Sequence, residues 1–139
     1  MLPMTKNITC FLIDDDGDDR EIFTIAAEAN GASVVTAENG VDALEKLHSD
    51  STFTPDCIFL DLNMPYLSGI DCLSQIKKID RLDAVPVIVY TTSSYEKDVE
   101  KTRQLNASHF LVKPTSLNVL INRLSNIFSQ QDLPFYLDQ

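Results

Sequence analysis

The chain has 139 residues, 44% of them hydrophobic, which is enough to bury one ordinary core and rules out a disordered protein. Eleven Lys and Arg against 21 Asp and Glu give a formal charge of −10, and the basic residues are scattered. Such a balance excludes a nucleic-acid surface and points to protein partners or a metal cation, while no stretch approaches the ~20 apolar residues that span a bilayer.

Residues 8–13 (ITCFLI) read as a strand buried on both faces. The run is too short for a signal-peptide core, and no small-residue cleavage site follows it. It stops at Asp14-Asp15-Asp16-Gly17-Asp18-Asp19, in which Asp18 has the chemistry of a helix N-cap. Residues 20–30 continue at helical spacing, with Ile22, Phe23, Ile25, Ala26 and Ala29 on the apolar side and Asn30-Gly31 as the stop. Residues 33–37 form a short strand. Val41, Ala43, Leu44 and Leu47 then mark a second helix that ends near His48, before the turn material of 49–55.

Residues 57–60 (CIFL) are an uninterrupted apolar run that ends at Asp61, the third buried strand. Pro65 cannot continue a ladder, and Gly69 supplies a flexible position beyond it. Ile70, Leu73, Ile76 and Ile79 form a third helical face. The fourth strand is 85–90 (VPVIVY), followed by Thr91-Thr92-Ser93-Ser94. The helix expected over 95–105 has few core anchors, which predicts a loosely held, partner-facing element. Residues 108–112 are the last strand, closed by Lys113-Pro114. Leu117, Leu120, Ile121, Leu124, Ile127 and Phe128 give a strongly amphipathic fifth helix. The chain thus divides into a domain over 1–128 and a C-terminal tail over 129–139. Leu133-Pro134-Phe135-Tyr136-Leu137 is apolar for a tail, which predicts packing on the domain's own surface or in a dimer.

Five alternations of strand and helix with short connections predict an α/β fold, with right-handed βαβ units around a parallel sheet. Ligands sit at the carboxyl ends of such strands, and there Asp14, Asp15, Asp61, Thr91, Thr92 and Lys113 converge. Three carboxylates in one concavity repel one another unless a cation intervenes. A hard dication with retained waters suits them, Mg²⁺ first, with Mn²⁺ undistinguished. Asp61 is placed to accept a phosphoryl group, with Lys113 and the Thr91 hydroxyl neutralising its oxygens. Pro114 restricts the Lys113 backbone and offers a cis peptide as a means of aiming the amine. Taken alone, Asp14 to Asp19 would read as solvated capping acids. A calcium loop is disfavoured, because the EF-hand pattern aligned on Gly17 puts Leu12 at its first ligand position. Cys10, Cys57 and Cys72 read as reduced core residues, in keeping with a cytoplasmic protein.

The acidic pair Asp14 and Asp15, the Asp-x-x-Met-Pro segment of Asp61, Met64 and Pro65, then Gly69, Thr91 and Lys113-Pro114, resemble the receiver domain of two-component response regulators. The resemblance implies a doubly wound, flavodoxin-like (βα)5 fold with a five-stranded parallel sheet in the order 2-1-3-4-5. It makes Asp61 the phosphorylation site and has Asp15 and Asp61 bind Mg²⁺ with the Asn63 backbone carbonyl, Asp14 assisting. Thr91 and Phe110 become the switch pair, with Phe110 lacking the hydroxyl of the Tyr that many relatives carry. Asn63 and Ser93 fall where the family tunes phosphate lifetime.

On this reading the chain is a stand-alone regulator and not an enzyme beyond turnover of its own aspartyl phosphate. A sensor histidine kinase or phosphotransfer protein is the donor. Output passes to a downstream protein target, since no output domain fits in 139 residues. A homodimer through the helix-four, strand-five, helix-five face or the tail is a further option. Thr91 to Ser94 and the apolar tail also look like small regulators of bacteriophytochrome kinases. The alternative is a pseudo-receiver that never carries phosphate. A phosphohydrolase would need an acid where Asn63 stands, and a flavin module would need a phosphate loop after the first strand.

Overall fold

A computed structural model describes residues 7–93, 95–129 and 132–137. Five strands alternate with five helices: β1 (Thr9–Ile13), α1 (Gly17–Ala29), β2 (Ser33–Ala37), α2 (Gly40–Ser49), β3 (Cys57–Leu60), α3 (Gly69–Ile76), β4 (Val87–Thr91), α4 (Glu96–Gln104), β5 (His109–Val112) and α5 (Leu117–Phe128). A sixth strand, β6 (Tyr136–Leu137), follows. All strand pairs are parallel, in the order β2-β1-β3-β4-β5-β6.

The expected order 2-1-3-4-5 is therefore present, extended by one strand from the tail. β6 pairs with the outer edge of β5, where the Phe110 amide donates to the Phe135 carbonyl at 2.8 Å. His109 Nδ1 lies 2.8 Å from the Pro134 carbonyl oxygen. The tail could not be read as a strand because its two paired residues are too few to show a period. Its partner is also far away in sequence, and the adjacent Pro134 argues against a strand.

Alternation along the central strands separates two cores, as a sheet covered on both faces requires. Phe11, Ile13, Ile58, Leu60, Val87, Val89 and Phe110 face Leu47 of α2 and Leu73 and Ile76 of α3. Leu12, Phe59, Ile88, Tyr90 and Leu111 face Phe23 and Ala26 of α1 and Leu120 and Leu124 of α5. In the second core the Phe23 ring lies 4.8 Å from Phe59 and 5.4 Å from Tyr90, which fastens α1 over the middle of the sheet. α4 buries only Thr102 completely, as its polar sequence predicts. No helix among the described residues is long and apolar enough to cross a membrane.

Four local expectations are corrected. α3 ends at Ile76, so Ile79, expected on its apolar face, lies beyond it and leads into a one-turn 3₁₀ helix at Asp80–Leu82. α1 starts at Gly17 instead of residue 20, and its cap is Asp16, not Asp18: the Asp16 side chain accepts from the amides of Asp18 and Asp19. β4 starts at Val87, because Pro86 has no N–H to give the ladder, and it runs on to Thr91. The bond between Lys113 and Pro114 is trans, since there is no cis peptide among the described residues. Ser94, part of the hydroxyl run noted above, lies outside the described residues.

Candidate phosphoryl and metal site

Each member of the site is delivered by the end of a buried strand. Asp14 follows β1 and is fully buried, Asp61 follows β3 and is 6% exposed, and Thr91 ends β4 fully buried. Lys113 follows β5 with its side chain 8% exposed. Apolar strand interiors fix the backbone on both sides, so the polar residue after each run emerges at the same edge of the sheet. The register enforces it: Ile13 pairs with Leu60, one residue before Asp14 and Asp61 respectively.

The Lys113 ammonium is the centre of the charge cluster. Its Nζ lies 2.7 Å from Asp14 Oδ2, 2.7 Å from Asp19 Oδ2 and 3.5 Å from Asp61 Oδ2. The Tyr90 ring lies beneath it at 5.3 Å. Asp14 Oδ1 accepts from the Asp16 amide at 3.0 Å, and Asp61 Oδ1 from the Asn63 amide at 3.2 Å. Burial pushes the Asp14 pKa up to about 6, against the opposing pull of Lys113. For Lys113, burial alone would lower the pKa. The hydrogen bonds to Asp14 and Asp19 and the nearby Asp61 charge outweigh it, so the amine is held charged well above the usual lysine range.

Of the residues expected at the site, Asp14, Asp15 and Asp61 come together: one carboxylate oxygen from each lies within 4.8 Å of the others. Asp15 is exposed at the mouth, and the other two lie beneath. An all-oxygen set in which burial opposes the charge of Asp14 fits a hard dication that would offset that penalty. The Thr91 hydroxyl is buried with no hydrogen-bond partner among the described residues, an unusual cost for a native protein. Asn63 and Thr92 are exposed near the cluster. Phe110 is fully buried and points inward, its ring stacked on Tyr136 at 5.9 Å with 25° between planes.

Gly69 has a stricter role than flexibility. A Cβ there would sit 2.3 Å from the Asp61 carbonyl oxygen and 2.4 Å from Leu62 Cα, so α3 abuts the nucleophile's own backbone. Asp19, which in the sequence reads only as one of the capping acids, holds Lys113. A cavity of about 660 Å³ lies at the opposite end of the strands, beside Ile8, Pro55, Arg81 and Pro86. Its lining lacks the cluster's acids and amine.

The fold and this charge cluster agree with the sequence comparisons. A family profile described as the response regulator receiver domain matches residues 10–125, and the chain belongs to that family. This family is a signalling module that works with histidine kinases or phosphotransfer proteins and downstream targets, and its members bind Mg²⁺. Two curated relatives and one solved structure show the range of similarity. The chain is 33% identical over 123 residues to a "Transcriptional regulatory protein CpxR homolog" of Haemophilus influenzae, covering 88% of this chain and 51% of that protein. It therefore spans about half of that relative's length. It is 28% identical to "Protein PilH" of Pseudomonas aeruginosa over 85% of this chain and 95% of that one. The phosphorylated cyanobacterial phytochrome response regulator RcpA superposes with a TM-score of 0.79 at 28% identity, covering 88% of this chain and 91% of that chain.

Proposed function

We propose that this receiver accepts a phosphoryl group on Asp61 and relays the event through protein contacts. The observation that carries the proposal is one ammonium, Lys113, held among Asp14, Asp19 and Asp61, together with a buried Thr91 hydroxyl that has no partner among the described residues. Folding leaves that hydroxyl without a partner among the described residues, and a phosphoryl oxygen on Asp61 would supply one.

In the step, an Asp61 carboxylate oxygen forms a bond to phosphorus while the P–N bond to a donor imidazole breaks. The electron pair stays on the imidazole nitrogen, which takes a proton from solvent. The Asn63 amide orients the Asp61 carboxylate. Lys113 neutralises one oxygen of the transferring group, and the Thr91 hydroxyl donates to another. Asp14, Asp15, Asp61 and the Asn63 carbonyl would hold Mg²⁺, or Mn²⁺ in its place. That ion supplies charge neutralisation between the carboxylates and the incoming dianion.

The donor in this proposal is a sensor histidine kinase or a phosphotransfer protein, with the similarity to RcpA favouring a phytochrome-type kinase. The target is a further protein, reached through the α4, β5 and α5 face, with dimerisation through that face or the tail as one form of output. The receiver is taken to end at residue 128, with 129–139 appended. A pseudo-receiver would be marked by a missing acid or amine, and this chain lacks neither.

Acetyl phosphate with Mg²⁺ should add one phosphoryl mass to the protein, and Asp61→Asn should abolish it while the far-UV circular dichroism spectrum stays unchanged. Labelling that persists in the folded variant would move the acceptor to another residue.

A further inference from the structure

We infer that Asp19 is a positioning residue that restrains Lys113 and so limits capture of a phosphoryl group at Asp61. The inference rests on the proposed acceptor role of Asp61, and it assigns a function to a carboxylate outside the acidic trio.

The geometry is that of an amine already committed elsewhere. An ammonium has three donors. Two of the Lys113 contacts are short, at 2.7 Å to Asp14 and 2.7 Å to Asp19, while Asp61 is the distant member at 3.5 Å. To reach an oxygen of a phosphoryl group on Asp61, the amine must relax one short contact. Asp14 cannot turn away, because its side chain is fully buried and tied to the Asp16 amide. The Asp19 side chain is 33% exposed, so water can take over its oxygen when the amine leaves. Asp19 is thus the contact that yields.

The backbone makes Asp19 a fixed restraint instead of a wandering surface acid. It sits on the first turn of α1, where the Asp16 cap accepts from its amide at 3.1 Å. Tyr90 lies under the amine at 5.3 Å and closes its apolar side. Asp19 opposes phosphorylation by competing for the only ammonium that the described residues place at the cluster.

Asp19→Asn should therefore raise the second-order rate of acetyl phosphate labelling on the order of tenfold, as expected from freeing one charge-assisted hydrogen bond. Asp19→Glu, which keeps the charge, should stay near the wild-type rate. In a Lys113→Gln background the Asp19→Asn gain should vanish. A gain that persists there would show a bulk field effect and overturn the positioning role, as would an unchanged or slower rate in Asp19→Asn alone.

A readout without metal or phosphodonor is exchange of the Lys113 ammonium protons with water, followed by NMR. It should be slow in the wild type and clearly faster in Asp19→Asn; equal rates would also overturn the inference. Failure of the wild type to label at Asp61 would instead defeat the acceptor reading, and the ammonium exchange would still report on the Asp19 contact.

Discussion

At the scale of single residues, the site is built from side chains that the fold alone would not choose. A buried Asp14, a buried Thr91 and a lysine 8% exposed each oppose folding unless they serve one another or a ligand. These residues were legible in the sequence because each interrupts or ends an apolar run, and polar residues at strand ends are easy to see. Asp19 was not, because its partner lies 94 positions away and its neighbours are also acids. Gly69 was seen for the wrong reason, since no sequence pattern reports that a helix start touches the backbone after β3. This contact makes a sharp prediction. Gly69→Ala forces a methyl group onto the Asp61 carbonyl, so either α3 or the β3 end must shift. Overpacking of this kind costs about 1–3 kcal/mol. Urea titration should show that loss, and acetyl phosphate labelling should fall further than the loss of folded protein explains. Equal stability and labelling would show that the loop absorbs the methyl group freely.

At the scale of elements, the five strands and five α-helices of the receiver are legible, because strongly apolar strands and amphipathic helices alternate at regular intervals, whereas the one-turn 3₁₀ helix at Asp80–Leu82 is not. What the sequence missed was where local chemistry competes with pattern: Asp16 displaced Asp18 as cap, and Pro86 delayed β4. β6 was missed for another reason. Its stability is tertiary, drawn from the β5 edge, from Tyr136 stacked on Phe110 and from Arg103 of α4 lying 4.5 Å over the Phe135 ring. The strand therefore clasps two elements of the proposed output face, and it covers an edge that would otherwise present open ladder groups. A chain ending at Ser129 should lose protection of the Phe110 amide in hydrogen exchange, since its acceptor is the Phe135 carbonyl. Its melting temperature should fall by several degrees, in line with the loss of about 1–2 kcal/mol from an aromatic pair and an edge ladder. Unchanged Phe110 exchange would mean that the edge is protected by something other than β6.

At the scale of the whole molecule, the charge of −10 and the acidic cluster raise one question: what keeps like charges together at neutral pH? Among the described residues Lys113 is the one cation paired with the side chains of Asp14, Asp19 and Asp61, while Arg20 donates to the Asp14 backbone carbonyl at 2.8 Å. Asp15 adds a further carboxylate at the mouth. The net negative charge left there disfavours the folded state, and a dication bound only by the folded chain should relieve it. Stability should then rise with ligand by mass action, by about 2.7 kcal/mol when Mg²⁺ is a hundredfold above its dissociation constant. Thermal unfolding should shift upward on adding Mg²⁺ to protein stripped with a chelator, whereas K⁺ at equal ionic strength should give little shift. Asp15→Asn should remove most of the Mg²⁺ effect and leave the metal-free melting temperature equal or higher, because it deletes an exposed charge from a repulsive group. If Asp15→Asn kept the full Mg²⁺ shift, the ion would be acting on the general acidic surface, and the strand-end cluster would have to be reassigned as an anchor for Lys113 alone.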